Sequence, residues 1–259
     1  MTQPVHVVAV TQSDPFFTGR FFEAFLAEAG RGPVRLLEIV VLRNFNESRL
    51  ALLQRLWRFY GSADLTRLLA RYAVTRLFER FGSPRSVEAL AARASVPVRP
   101  LVTINDEGYL RTLRSRQVDV LLSVSAPEIF RQVALAAAPL VLNVHNGRLP
   151  QYRGMMPTFW ALLNGEGEVT ITVHSMAAKL DAGDVFAEFP VPIGPTDTAF
   201  DVSARAKAVA GREVARLLAR LGTPDWPTPR ALTMSDQRYY KFPAAADTAR
   251  LRALGRRML

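Results

Sequence analysis

The chain has 259 residues, 49% of them hydrophobic and 22% charged, which suits one large domain and excludes a chain too polar to bury a core. It contains no cysteine, so disulfides, thiolate metal sites and cysteine nucleophiles are excluded. Lys and Arg number 33 against 23 Asp and Glu, a net charge of +10 that favours anionic partners but says nothing about fold.

The chain opens on VHVVAVTQ (Val5–Gln12), β-branched and nearly all apolar, which reads as a buried parallel strand. Asp14-Pro15 then predicts a turn and a helix start, with Pro15 at the first helical position. Phe17, Phe21, Phe25 and Ala29 recur at helical spacing, and Gly30 ends the pattern. VRLLEIVVL (Val34–Leu42) is a second strand. Strand, helix and apolar strand in succession predict an α/β protein with a mostly parallel sheet covered on both faces.

A segment of different character follows, Asn46–Gly82. It reads as two amphipathic helices split at Gly61, rich in arginine, with Trp57, Phe59, Tyr60, Tyr72, Phe78 and Phe81 at roughly helical spacing. The default expectation is an insertion that packs on the domain or makes a homodimer contact. A basic surface touching a membrane or a lipid-linked substrate is the alternative.

The sheet then resumes. Asp106–Gln117 is helix-like, and Val118–Ser125 and Ala138–His145 are further strands. Val169–Met176 and Val185–Ile193 alternate, and the second carries prolines, which suggests antiparallel or edge positions. Asp197–Gly222 is one long amphipathic helix with a glycine stop. Residues 223–259 are proline-punctuated and too few for a core of their own. The expected organisation is therefore a catalytic domain over 1–222, with the helical insertion at 46–82, and a short C-terminal extension over 223–259. The first ten residues carry no signal-peptide pattern, and no stretch approaches the ~18 apolar residues of a membrane span. A cytoplasmic protein is the default expectation.

Several chemistries are missing. After the first strand stands TQSDPFFTGR and not G-x-G-x-x-G; there is no Walker A motif, no G-x-S-x-G elbow and no H-E-x-x-H. His6, His145 and His174 show no metal pattern by spacing, so no metal is expected. What remains is polar residues at strand ends. Asn143 and His145 are two apart in a strand and so share a face. They would converge outside the carboxyl edge of the sheet, where open α/β sheets bind ligands. Asp181 follows the Val169–Met176 strand, with Gly183 allowing a tight turn. An amide donor for an oxyanion and a His or Asp to take a proton suit acyl transfer to an amine, with no covalent nucleophile. Each residue also has an ordinary reading: Asn143 as a turn cap, His145 as a hydrogen-bonded structural histidine, Asp181 as a turn aspartate. The residues alone reach an α/β enzyme of acyl or one-carbon transfer.

The longer motifs are more specific. LNVHNGRLPQYRGMMPTFWALLNGE (142–166) and VTITVHSMAAKLDAGDVFAE (169–188) carry N-x-H-x-x-x-L-P-x-[YW]-R-G-x-x-P, then T-x-H-x-M, then D-x-G. In order and spacing this resembles the folate-dependent formyltransferases, which act on methionyl-tRNA, glycinamide ribonucleotide or sugar amines. The resemblance covers about Pro4–Leu42 and Val98–Gly222, weakly at the start and strongly from Ser123. It implies a Rossmann-like, mostly parallel twisted sheet flanked by helices. It also implies N10-formyltetrahydrofolate as formyl donor, tetrahydrofolate as product, a primary amine as acceptor and no metal. By motif position Asn143, His145 and Asp181 match the catalytic trio. Ser125, Ala126, Pro127, Glu128 and Ile129, with Ala177, Ala178, Lys179 and Leu180, match the segments whose backbones line the pterin pocket. Gln12, Ser13, Tyr152, Arg153 and Met155 are candidates for acceptor contact. No sequence for a C-terminal tRNA-binding barrel is present, so the expected acceptor is a small molecule (an aminosugar, a nucleotide sugar or a specialised-metabolite amine) and not tRNA. Formyltetrahydrofolate hydrolysis, or a non-catalytic folate- or membrane-binding role, is the alternative.

Overall fold

Seven strands form one sheet in the order β3-β2-β1-β4-β5-β6-β7 in the computed structural model, which describes residues 3–43, 49–82, 85–233 and 238–259. The strands are β1 (Val5–Gln12), β2 (Val34–Leu42), β3 (Val98–Leu101), β4 (Val120–Val124), β5 (Leu140–His145), β6 (Glu168–Ser175) and β7 (Val185–Pro192). The helices are α1 (Thr18–Ala29), α2 (Arg49–Arg80), α3 (Val87–Arg93), α4 (Glu107–Ser115), α5 (Gln132–Leu135), α6 (Pro157–Leu163), α7 (Ala199–Leu218) and α8 (Ala245–Ala253). Strands β1 to β5 run parallel, and β6 and β7 continue the sheet antiparallel. The two alternating strands thus form the antiparallel end of the sheet, with the proline-bearing β7 at its edge, where Pro190 and Pro192 have no further neighbour to donate to.

The sheet is buried on both faces. On one face α1 and α7 pack over Val7, Ala9, Leu122 and Val144; on the other α4 and α5 cover Val8, Val10, Leu121 and Val141. Helix α7 approaches α1 through small residues. A Cβ on Gly211 would stand 2.1 Å from the Phe21 carbonyl oxygen, so only hydrogen fits at this crossing. A third cluster joins Phe59 of α2, Phe159 of α6, and Leu251 and Met258 near the C-terminus.

One local expectation needs correction. Pro15 does not begin the first helix. The Asp14 carboxylate accepts from the amides of Phe16 and Phe17 at 2.7 and 2.9 Å, closing a turn, and the helix is delayed to Thr18. The insertion packs on the domain through part of its length, where Phe59, Leu65 and Leu68 are buried. Its expected start at Asn46 lies outside the described residues, and it does break at Gly61 (φ 73°, ψ 172°), as the glycine suggests. Past that break, however, most of its apolar side chains remain in solvent.

Candidate active site

The carboxyl end of β5 carries Asn143 and His145, and β6 runs antiparallel beside it. The register sets Asn143 directly opposite His174 and His145 opposite Thr172. The loop between β6 and β7 brings Asp181 to the same place. Asp181 Oδ1 lies 3.7 Å from His145 Nδ1 and 3.9 Å from His174 Nε2. The three residues expected to act together are therefore within one site, and His174 is a fourth member.

The hydrogen bonds fix the state of both imidazoles. His174 Nδ1 lies 2.8 Å from the Ser175 carbonyl oxygen, which can only accept, so Nδ1 carries the hydrogen. Its Nε2 then presents a lone pair and accepts from Asn143 Nδ2 at 3.1 Å. Burial, with the neighbouring His145 adding to it, pushes His174 down to about 4, so the ring is neutral near neutral pH. This arrangement decides which way the Asn143 amide points. Its NH₂ group faces His174, and one N–H remains for another acceptor. His145 is set from the other side: Nε2 donates to the Tyr152 carbonyl oxygen at 2.7 Å, which leaves Nδ1 facing Asp181. At 3.7 Å that pair is too far apart for a direct hydrogen bond.

Asp181 is held for this position. Its Oδ2 accepts from the Gly154 amide at 2.9 Å, and its φ of 50° is one that side-chain-bearing residues seldom adopt. Arg153 donates to the adjoining Leu180 carbonyl at 2.7 Å. Thr172, buried on β6, donates to the Gly147 carbonyl at 2.8 Å and ties the loop after β5 to the sheet.

The other expected contacts are distributed around this centre. Ser125 follows β4, next to β5, with φ 55°; Ala126, Pro127 and Glu128 are partly buried and Ile129 is exposed. The Glu128 carboxylate is engaged by Thr103, the Ile104 amide and Asn105. Ala177, Ala178, Lys179 and Leu180 form an exposed run leading into Asp181. Of the acceptor candidates, Gln12 is partly buried, Ser13 exposed and Met155 46% exposed. Tyr152 reaches the centre through its backbone oxygen, while its ring stacks on Tyr240 and its hydroxyl donates to Glu166 at 2.5 Å. Arg153 is buried.

Sequence reasoning missed a second polar group beyond the carboxyl ends of β1 and β4, where Asp14 and Ser125 lie. Lys207 of α7 is buried, donates to Ser125 Oγ at 2.7 Å, and is lowered to about 8 by burial, against the opposing charge of Asp14. Asp14 is raised by burial, against its two amide donors and Lys207. The available signal is a lone lysine on the small-residue stripe of α7, one of only three lysines in an arginine-rich chain.

A family model described as formyl transferase matches residues 62–218, more than half of the chain. The chain belongs to the formyl transferase family. The matched span of this formyl transferase contains Asn143, His145, His174, Asp181 and Lys207. Among solved structures it resembles glycinamide ribonucleotide transformylase 1 from Symbiobacterium toebii, with a TM-score of 0.59 and 20% identity over 90% of this chain and 96% of that one. It also resembles a sugar N-formyltransferase from Shewanella sp FDAARGOS_354, with a TM-score of 0.57 and 15% identity over 95% and 86% of the two chains. A sugar 3N-formyl transferase, solved in the presence of dTDP and 5-N-formyl-THF, gives 0.55 and 15% over 93% and 70%. At these identities the likeness is one of fold.

The formyl transferase should show the buried neutral His174 in its acid stability. The unfolded chain titrates this group near 6.5 and the folded one near 4. Between those values the unfolded chain binds a proton that the folded chain does not. Stability should therefore fall as pH drops through that window, by at most ~1.4 kcal/mol per pH unit, and this contribution should level off below it. Urea denaturation of wild type and His174→Gln at pH 7, 6 and 5 checks this: the variant should have the flatter profile, and identical profiles would show that His174 is not held neutral.

Proposed function

We propose that this formyl transferase moves a formyl group from N10-formyltetrahydrofolate to a primary amine of a small molecule, an aminosugar, nucleotide sugar or specialised-metabolite amine. The observation that carries this reading is the convergence of Asn143, His145, His174 and Asp181, with each imidazole in a defined tautomer. The folate would supply an activated formyl carbon. Composition around the site suits a flat ring: Ala126, Pro127, Ala177 and Ala178 are small, and the apolar Ile129 and Leu180 are 56% and 41% exposed.

In this reading His174 fixes the Asn143 amide so that its remaining N–H points at the formyl oxygen as negative charge grows there. The donor is already oriented before reaction, so little reorganisation is needed at that moment. His145 Nδ1 and Asp181 would take the proton that the attacking amine must lose, directly or through one water, and its return to the folate nitrogen would let the old formyl C–N bond break so that tetrahydrofolate leaves. Tyr152 holds the far side of the His145 ring, so a proton gained at Nδ1 faces the Asp181 charge. His174 and Tyr152 are positioning groups; Asn143, His145 and Asp181 would touch the reacting atoms.

The test is to incubate purified protein with N10-formyltetrahydrofolate and a panel of amines, following tetrahydrofolate optically and N-formyl products by mass spectrometry. Tetrahydrofolate and formylated amine in equal amounts are expected with at least one amine class. Formate release without any amine would instead identify a hydrolase. No turnover and no folate binding would remove the reading.

A further inference from the structure

The outer half of α2 is exposed in a way that a packed helix is not. Its root is fixed: Phe59, Leu65 and Leu68 are buried, and Arg252 of α8 donates to the Tyr60 carbonyl and to Asp64. Beyond Leu68 the burial of apolar side chains stops. Leu69, Ala73 and Leu77 follow at four-residue spacing and Phe81 continues the row, so they form one ridge. Leu69, Leu77 and Phe81 are 49%, 55% and 77% exposed, and Val74 and Phe78 on the adjoining row are 50% and 48% exposed. A contiguous apolar row of this kind marks an interaction surface.

The charge around the ridge indicates the partner. Helix α2 carries seven arginines and two acidic residues, a net +5. Both acids are already engaged, Asp64 by Arg67 and Arg252, and Glu79 by Arg76 and the Ser86 amide. Beside the ridge, between α2, α1 and α3, lies a cleft of about 1020 Å³ with an apolar floor that includes Leu26 and Leu90. Among the described residues, Arg20, Arg71, Arg85 and Arg93 line it against a single acid, Glu23. A second copy of this chain fits poorly: a two-fold contact through the ridge would bring two net-positive surfaces together. An anionic bilayer pairs them with phosphates while the ridge enters the acyl boundary.

We propose that the α2 arm docks this protein on an anionic lipid surface, with Leu69, Leu77 and Phe81 inserted and the arginines of the cleft taking headgroup phosphates. The proposal is independent of which amine is formylated.

The experiment is co-sedimentation with vesicles of phosphatidylcholine alone and of phosphatidylglycerol mixed with phosphatidylcholine, together with sedimentation velocity without lipid. Wild type should bind the mixed vesicles and not the neutral ones. Leu77→Ser/Phe81→Ser changes no charge and lies at exposed positions; it should weaken binding about tenfold or more. Arg20→Gln/Arg93→Gln should also weaken it. Three results would overturn the proposal. Wild type could fail to bind the mixed vesicles. The Leu77→Ser/Phe81→Ser variant could bind as well as wild type, leaving only the general +10 charge. Or wild type could be a dimer without lipid that this variant dissociates, making the ridge a subunit contact.

Discussion

Asp181→Asn should lower turnover by about 10²-fold or more, the scale of losing a general base, while affinity for 5-formyltetrahydrofolate changes only a few-fold. The two carboxylate oxygens have separate tasks. Oδ2 accepts the Gly154 amide, and an asparagine oxygen can do the same at the same distance. Oδ1 stands 3.7 Å from His145 Nδ1, and there the substitution puts an NH₂ group where a negative charge was. The loop therefore keeps its anchor, but a proton arriving at His145 no longer meets a countercharge. Steady-state rates and calorimetric titration with the folate analogue separate the possibilities. Unchanged turnover would take Asp181 out of the mechanism. Loss of folate binding together with turnover would show that Asp181 builds the donor pocket and not the proton path.

The parts of this site that follow from local spacing were legible in the sequence; those that follow from strand pairing were not. Two residues apart on a strand suffices to place Asn143 and His145 on one face, and the D-x-G loop marks Asp181. His174 sits in the T-x-H-x-M motif, yet its task depends on β6 running antiparallel to β5 in the register that sets it opposite Asn143. Nothing within either segment specifies that register. Lys207 was missed for a related reason. A lysine on a helix reads as surface unless the neighbouring residues are known to be covered, and here α1 covers them. Asp14 shows the limit of local rules: an Asp-Pro pair is a good helix start, but the carboxylate took the first two free amides into a turn. The short elements β3, α3, α5 and α6 have 4 to 7 residues, too few for a period to declare itself. In α2 apolar residues recur on several rows, so the pattern predicts helix without saying which row is covered. Only the tertiary structure shows that Leu65 and Leu68 are buried and Leu69 and Leu77 are not.

Gly183→Ala should reduce stability by about 2–3 kcal/mol and lower turnover by roughly tenfold or more, although alanine is the smallest change available. A Cβ at Gly183 would stand 1.8 Å from the Ser175 carbonyl oxygen and 2.6 Å from its carbon, and both are backbone atoms of β6 that no rotamer change can move aside. The approach is locked on either side. The Ser175 amide donates to the Asp184 carbonyl at 2.8 Å, and the Asp184 amide donates to Ser175 Oγ at 2.9 Å. The added methyl group must push this loop off the strand, and Asp181, two residues earlier, moves with it. Asp181 already has an unfavourable φ that persists because Gly154 and the loop over-determine it, so loosening the loop lets the residue relax away from His145. Gly167→Ala is the matched control, since its Cβ would meet nothing within 4 Å, and it should change neither quantity. Urea denaturation and turnover measured on both variants test the coupling. If Gly183→Ala lost stability but kept full turnover, the loop would hold the fold without aiming the carboxylate. If both fell together, the glycine of D-x-G would be the reason the aspartate of the same motif faces His145 at all.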